Sequence, residues 1–216
     1  MPQIFHRSTN TLARFSIFGS GFLAAAVLAY VGVLARSPLE TGVNQPVAQP
    51  IEFSHRHHVG DEGFDCRYCH TSAEQSAFAG MPSSATCMHC HSEIWAQSPK
   101  LELVRESVAS DVPIAWNRVY DLPDFTYFDH RAHVTVGFGC ETCHGRVDRM
   151  SLIWQAEPLL MTWCLDCHRD PAQYVRPREA VYVMGYEPPM AQAELGPQLV
   201  EEYGIEQKTD CTICHR

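Results

Sequence analysis

The apolar positions of this chain are unevenly spread, and a single run near one end dominates the pattern. From Phe15 to Ala35, twenty-one residues pass without a charge: FSIFGSGFLAAAVLAYVGVLA. At about 1.5 Å rise per residue, a helix over 15–35 crosses a hydrocarbon layer about 30 Å thick. Residues 1–14 carry Arg7 and Arg14 and no acid, which holds that end in the cytoplasm and exports the rest, with Arg36 a weak opposing charge. The competing reading is a cleaved signal peptide, with Val33-Leu34-Ala35 as a small-x-small site; the apolar length favours a retained anchor. Gly19, Gly21, Gly32 and Ala24–Ala26 give the helix small faces on which other membrane helices can pack, against the alternative of a helix facing only lipid. Residues 36–52, rich in proline and polar spacers, read as an extended linker off the membrane.

Beyond that linker the pattern repeats. Phe53-x-His55-Arg56-x-His58-Val59 leads to Gly63-Phe64-x-Cys66, and Phe128-x-His130-Arg131-x-His133-Val134 leads to Gly137-Phe138-x-Cys140. The offset of about 75 residues marks two similar modules. We assign 53–112 and 113–180 to the repeats and 181–216 to a C-terminal appendage, all within one domain, 53–216. Short helices, long loops and almost no sheet are expected throughout it.

The chemistry lies in one pentapeptide, Cys-x-x-Cys-His, written five times. Its cysteines and histidine are Cys66, Cys69 and His70 in motif one, and Cys87, Cys90 and His91 in motif two. Motif three has Cys140, Cys143 and His144, motif four Cys164, Cys167 and His168, and motif five Cys211, Cys214 and His215. Two thiols at this spacing add to the two vinyl groups of a haem, and the following imidazole becomes the proximal ligand of the iron. Five motifs use all ten cysteines. A zinc site, a thioredoxin-type pair or a disulfide framework would also use paired cysteines, yet none of them explains a histidine after the second cysteine five times in five. Five c-type haems are therefore the expected cofactors, attached outside the cytoplasm as c-type haems are in bacteria.

Each iron needs a sixth ligand or stays open to a substrate. Seven other histidines remain: His6, His55, His57, His58, His89, His130 and His133. His6 falls on the wrong side of the membrane. Each H-x-x-H pair places two imidazoles on one helical turn, near two neighbouring irons, so His55, His58, His130 and His133 are the expected distal ligands. His57 has no counterpart in the second repeat, where Ala132 stands, and His89 lies inside a motif; both are read as non-ligands. The fifth iron is left for a methionine among Met150, Met161, Met184 and Met190. Met184, between motifs four and five, is favoured. A thioether ligand raises the potential relative to two imidazoles; an iron left open would instead signal a catalytic site.

Composition adjusts this picture in two ways. Part of the 45% hydrophobic content sits in the N-terminal run, so the rest of the chain is short of core for its length and the porphyrins must supply it. The formal charge of −9 speaks against nucleic acid as a partner; it would steer in an electron carrier with a positive patch, against the alternative of a simply solvated acidic surface.

The F-x-H-x-x-H lead-in to C-x-x-C-H resembles the low-potential cytochrome c3/c7 family. The run 113–150, PIAWNRVYDLPDFTYFDHRAHVTVGFGCETCHGRVDRM, and Trp163-Cys164-Leu165-Asp166-Cys167-His168-Arg169 resemble the pentahaem subunit of alternative complex III, a bacterial quinol:electron-acceptor oxidoreductase. That resemblance spans nearly the whole chain. It implies a mostly α and irregular c3/c7-like fold wrapped around five haems, with one transmembrane helix in the inner membrane and the haem domain on the periplasmic side. It also implies mostly bis-histidine ligation, an iron–sulfur subunit as donor, and a monohaem cytochrome or soluble carrier as acceptor. The quinol site would lie in large integral-membrane subunits, since one anchor helix cannot build it, and the chain would have no substrate site of its own. Two alternatives are a multihaem reductase with one open haem and a quinol dehydrogenase of the NrfH/NapC type. The latter type has a methionine shortly after its first motif, where this chain has Thr71-Ser72-Ala73.

Overall fold

The computed structural model describes residues 4–216, in two units that divide between Val43 and Asn44. The first unit is built on helix α1, Ser8–Leu34, followed by the single turn α2, Pro38–Thr41. The apolar run predicts 15–35; the helix begins seven residues earlier, because the polar stretch before it continues the same backbone ladder. Ser16 and Ser20 lie within the run, and their hydroxyls donate to the carbonyls of Ala13 and Ile17, each at 3.0 Å. That return bond is what lets a hydroxyl sit in an apolar helix without an unmet donor. None of the residues of α1 is buried, and among the described residues it alone is long and apolar enough to span a bilayer. Arg36 closes the helix by donating from its guanidinium to the Gly32 carbonyl at 3.0 Å.

The second unit, 44–216, is a succession of short helices and loops. They are α3 (Cys66–Cys69), α4 (Ser84–His91), α5 (Glu102–Ser110), α6 (His130–Thr135), α7 (Cys140–His144), α8 (Met161–Arg169), α9 (Gln192–Tyr203) and α10 (Cys211–Cys214). Extended pairing takes the form of isolated bridges, among them Pro46 with Trp154, Thr126 with His215 and Phe138 with Val175. The stretch read as a linker is fastened at its far end: Asn44 N–H donates to the Gln155 carbonyl at 2.8 Å and Val47 N–H to the Ile153 carbonyl at 3.1 Å. Such pairing engages only backbone groups and leaves no mark on the side-chain pattern.

The two lead-in segments share local geometry. Phe53 stacks on His58 at 4.4 Å and 24° and meets His55 edge-on at 4.9 Å; Phe128 does the same to His133 at 4.5 Å and 26° and to His130 at 4.8 Å. They differ by one residue. Six positions separate His58 from Phe64 and five separate His133 from Phe138, yet both loops close with the same bond, Phe N–H to His carbonyl, at 3.0 and 3.1 Å. The extra residue is absorbed by a wide π-type turn, Arg56–Asp61, where the second segment has the ordinary helix α6. Gly63 and Gly137 follow at φ +72° and +95°, a backbone region that side chains with a Cβ rarely enter.

Buried side chains are few. Val175, Leu195 and Leu199 form one cluster where α9 lies on the turn at 171–173, and Leu101 and Val104 pack beside α4. Gly196 meets the Ala172 carbonyl so closely that no side chain fits between them. The exposed surface is 15004 Å² for a 24.3 kDa chain, against about 10,000 Å² for a compact monomer of that mass. The lone α1 accounts for part of the excess. The remainder reflects a second unit whose polypeptide encloses little core of its own.

Candidate functional site

All five Cys-x-x-Cys segments are helical, so each thiol pair lies at i and i+3 on one face with the histidine at the exit of the turn. Motifs one, three and five are single turns entered from extended residues, Asp65, Gly139 and Asp210. At motif one the Asp65 carboxylate caps the turn, accepting from Arg67 N–H at 2.8 Å. None of the ten cysteines forms a disulfide, and among the described residues no three Cys, His, Asp or Glu side chains converge as a metal-ion site.

Facing three of the motif histidines stands an imidazole from a lead-in turn. His58 and His91 have ring centroids 6.3 Å apart, His130 and His144 6.3 Å at an interplanar angle of 8°, and His133 and His168 6.1 Å. His55 lies within electrostatic reach of His70. Two metal–nitrogen bonds of about 2 Å plus two imidazole half-widths span a separation of this size. The pairing also follows the repeat. In the second module the first histidine of H-x-x-H faces the first motif and the second faces the second motif, and in the first module His58 likewise faces the second motif.

Backbone carbonyls fix the tautomer. Nδ1–H donates to Gly80 O from His70 (2.7 Å), to Ile94 O from His91 (2.9 Å), to Lys208 O from His168 (2.7 Å) and to Phe125 O from His215 (3.2 Å). The same atom of His58 donates to Ser54 O (2.9 Å), that of His130 to Ala77 O (2.8 Å) and that of His133 to Asp129 O (2.8 Å). A carbonyl can only accept, so Nδ1 carries the proton in these rings and Nε2 keeps the lone pair that a metal could take. His55 Nδ1 is buried without a partner. Burial, and then neighbouring imidazoles, push His55 and His144 down to about 4, and burial lowers His133. All three are neutral at pH 7, the form that binds a metal.

The other expected residues stand apart. His57 sits on the surface between Asp61 (3.7 Å) and Glu62 (3.9 Å), and His89 bonds the Tyr68 hydroxyl at 3.1 Å. His215 meets Phe125 at 5.8 Å where the others meet an imidazole. Met184 precedes a turn held on α7: the Glu141 carboxylate accepts from Gly185 N–H at 2.5 Å and from Tyr186 N–H at 3.2 Å. Met150 is 2% exposed, while Met161 and Met190 are exposed at 64% and 43%.

Two features of the site left no legible trace in the sequence. Tyr120 meets the His144 ring at 4.5 Å, and its hydroxyl, pushed up to about 12 by burial, accepts from Ala156 N–H at 3.0 Å. Glu141, an interior residue of motif three, also binds the buried Arg176 guanidinium at 2.9 Å. Neither residue lies in a pattern with a known spacing; only the fold brings them to the motif.

The residues present fit a c-type haem at the motifs on three counts: cysteines free of disulfides on one turn, imidazoles facing one another across a gap that two metal–nitrogen bonds would span, and a chain that encloses little core. Comparison with known proteins agrees. Over 97 residues, 44% of its length, the chain is 41% identical to the multiheme cytochrome c subunit of menaquinone reductase from Nitratidesulfovibrio vulgaris (strain Hildenborough), and it covers 45% of that relative. Residues 126–216, which hold motifs three, four and five, match the family described as cytochrome c7 and related cytochrome c. The C-terminal part of this chain is thus similar to multihaem cytochromes that carry c-type haem.

Proposed function

We propose that the chain is a membrane-anchored pentahaem cytochrome c that relays electrons in a quinone-linked oxidoreductase of the alternative complex III kind. Cys66/Cys69, Cys87/Cys90, Cys140/Cys143, Cys164/Cys167 and Cys211/Cys214 fasten five haems. His70, His91, His144, His168 and His215 are the proximal ligands, and His55, His58, His130 and His133 the distal ones. The haem iron, when bound, supplies one-electron exchange between its ferric and ferrous states. The chain's own task is to hold two imidazoles on an iron so that no substrate enters. The observation that carries this reading is the set of facing imidazoles, 6.1–6.3 Å apart, one of each pair from a Cys-x-x-Cys-His.

At motif five we propose a methionine as the sixth ligand, which sets that iron at a higher potential than the others. Met184, favoured by its position in the chain, leads into a turn held on motif three by Glu141 and carries no contact to motif five that supports it there. Helix α1 anchors the chain in the inner membrane and 53–216 lies in the periplasm, with repeats 53–112 and 113–180. Integral-membrane subunits handle the quinol, an iron–sulfur subunit exchanges electrons with the haems, and a monohaem cytochrome or soluble carrier takes them onward. The relative's name attaches such a subunit to menaquinone reduction; the same relay runs either way, its direction set by the potentials of the two partners.

Purification in mild detergent tests the assignment. Integral-membrane and iron–sulfur proteins are expected to come along, and the reduced protein is expected to bind no carbon monoxide rapidly. A solitary chain contradicts the relay, and rapid binding at one iron turns the reading toward the reductase with an open haem.

A further inference from the structure

The order of the motifs in space differs from their order in sequence. Motifs one and two are neighbours: the Tyr68 hydroxyl of motif one meets His89 Nδ1 of motif two at 3.1 Å, and His58 of the preceding turn faces His91. Motifs three and four share the turn that carries His130 and His133. The join between these pairs runs through motifs one and three. His130, the partner of motif three, is held at its backbone N–H and its Nδ1 by Ala77 O, in the loop that follows motif one. Arg67 of motif one lies over the Tyr182 ring at 4.4 Å, while the preceding residue, Val181, accepts from Cys140 N–H of motif three at 3.1 Å.

The join to motif five runs through motif four. Its His168 is oriented by Lys208 O, three residues before Cys211, and Gln207 donates to Arg169 O at 2.6 Å. Cys164 and Cys214 lie within electrostatic reach of one another, as do Cys69 and Cys87 at the far side. Exposure gives an independent sign: of the ten cysteines, two are exposed, Cys90 in motif two and Cys211 in motif five.

We infer that the five motifs stand in single, unbranched file in the order two, one, three, four, five. Motif three is then an obligatory crossing point. The two exposed ends, motifs two and five, are where a one-electron donor protein and a one-electron acceptor protein meet the file. The inference rests on haem attachment at all five motifs, as proposed above.

The test uses the full chain in detergent. Three double variants each remove one attachment: Cys87→Ser/Cys90→Ser, Cys140→Ser/Cys143→Ser and Cys211→Ser/Cys214→Ser. The low-spin electron paramagnetic resonance signals of the four remaining haems are then compared with those of the wild type. Loss at motif two or five is expected to shift one remaining signal, and loss at motif three to shift two. Should the motif three variant fail to fold, His130→Met keeps the attachment and is expected to disturb the same two neighbours. An end variant that moves two signals, or a motif three variant that moves only one, overturns the order. A wild-type chain whose intact mass shows no bound haem overturns the underlying attachment and the order with it, an outcome separate from a wrong order among five haems.

Discussion

Phe53 and Phe128 show how much of an imidazole's geometry is set by its neighbours. Each packs flat on one imidazole and edge-on to another, so a single ring fixes two histidines three residues apart. Phe128→Ala is expected to keep all five attachments yet to cost about 1–3 kcal/mol of stability, read by thermal melting, and to broaden the resonance signals of the sites at His130 and His133. Unchanged melting and sharp signals would deny the phenylalanine this role. The H-x-x-H histidines stood out in the sequence because their spacing recurs in register with the cysteines. Tyr120 was not, since it contacts His144 through a fold that brings residues 24 apart together, with no local pattern to announce it. Met184 shows the limit from the other side: position between two motifs singled it out, and its turn is held on α7 by Glu141.

At the scale of elements, short helices were expected at the motifs, and the backbone has them. What the side-chain pattern did not reveal is how one inserted residue is taken up by the wide turn at 56–61, or that residues 44–47 pair with 153–155. Both are backbone effects, without a hydrophobic signature. The contact of α9 with the 171–173 turn is equally specific. Gly196→Ala places a methyl group against the Ala172 carbonyl, backbone against backbone, and is expected to destabilise by about 1–3 kcal/mol. A melting temperature equal to that of the wild type would contradict that packing. Helix α1 forms a unit separate from 44–216. Deleting residues 1–35 while supplying a cleavable export signal is expected to give a protein that stays in solution without detergent and keeps its full haem content. Loss of haem on removal of the helix would show that the second unit depends on the anchor.

At the scale of the whole molecule, the polypeptide of the second unit buries too little to close its own core. Nine hydrophobic residues are buried among those described, several of them small. Burial at about 25 cal/mol per Å² from so few side chains falls well short of the conformational entropy of ordering 44–216, so folding must be coupled to attachment of the porphyrins. Chain produced without haem attachment is expected to show little helical circular dichroism outside α1 and to be cut rapidly by protease across 53–216. A protease-resistant, helical haem-free domain would refute the coupling.

The most direct test of the account is the intact mass of the exported chain under denaturing conditions, where only covalent bonds survive. The 24.3 kDa polypeptide carrying five haem groups is the result predicted. A mass equal to the bare polypeptide, or to one carrying fewer than five, contradicts it.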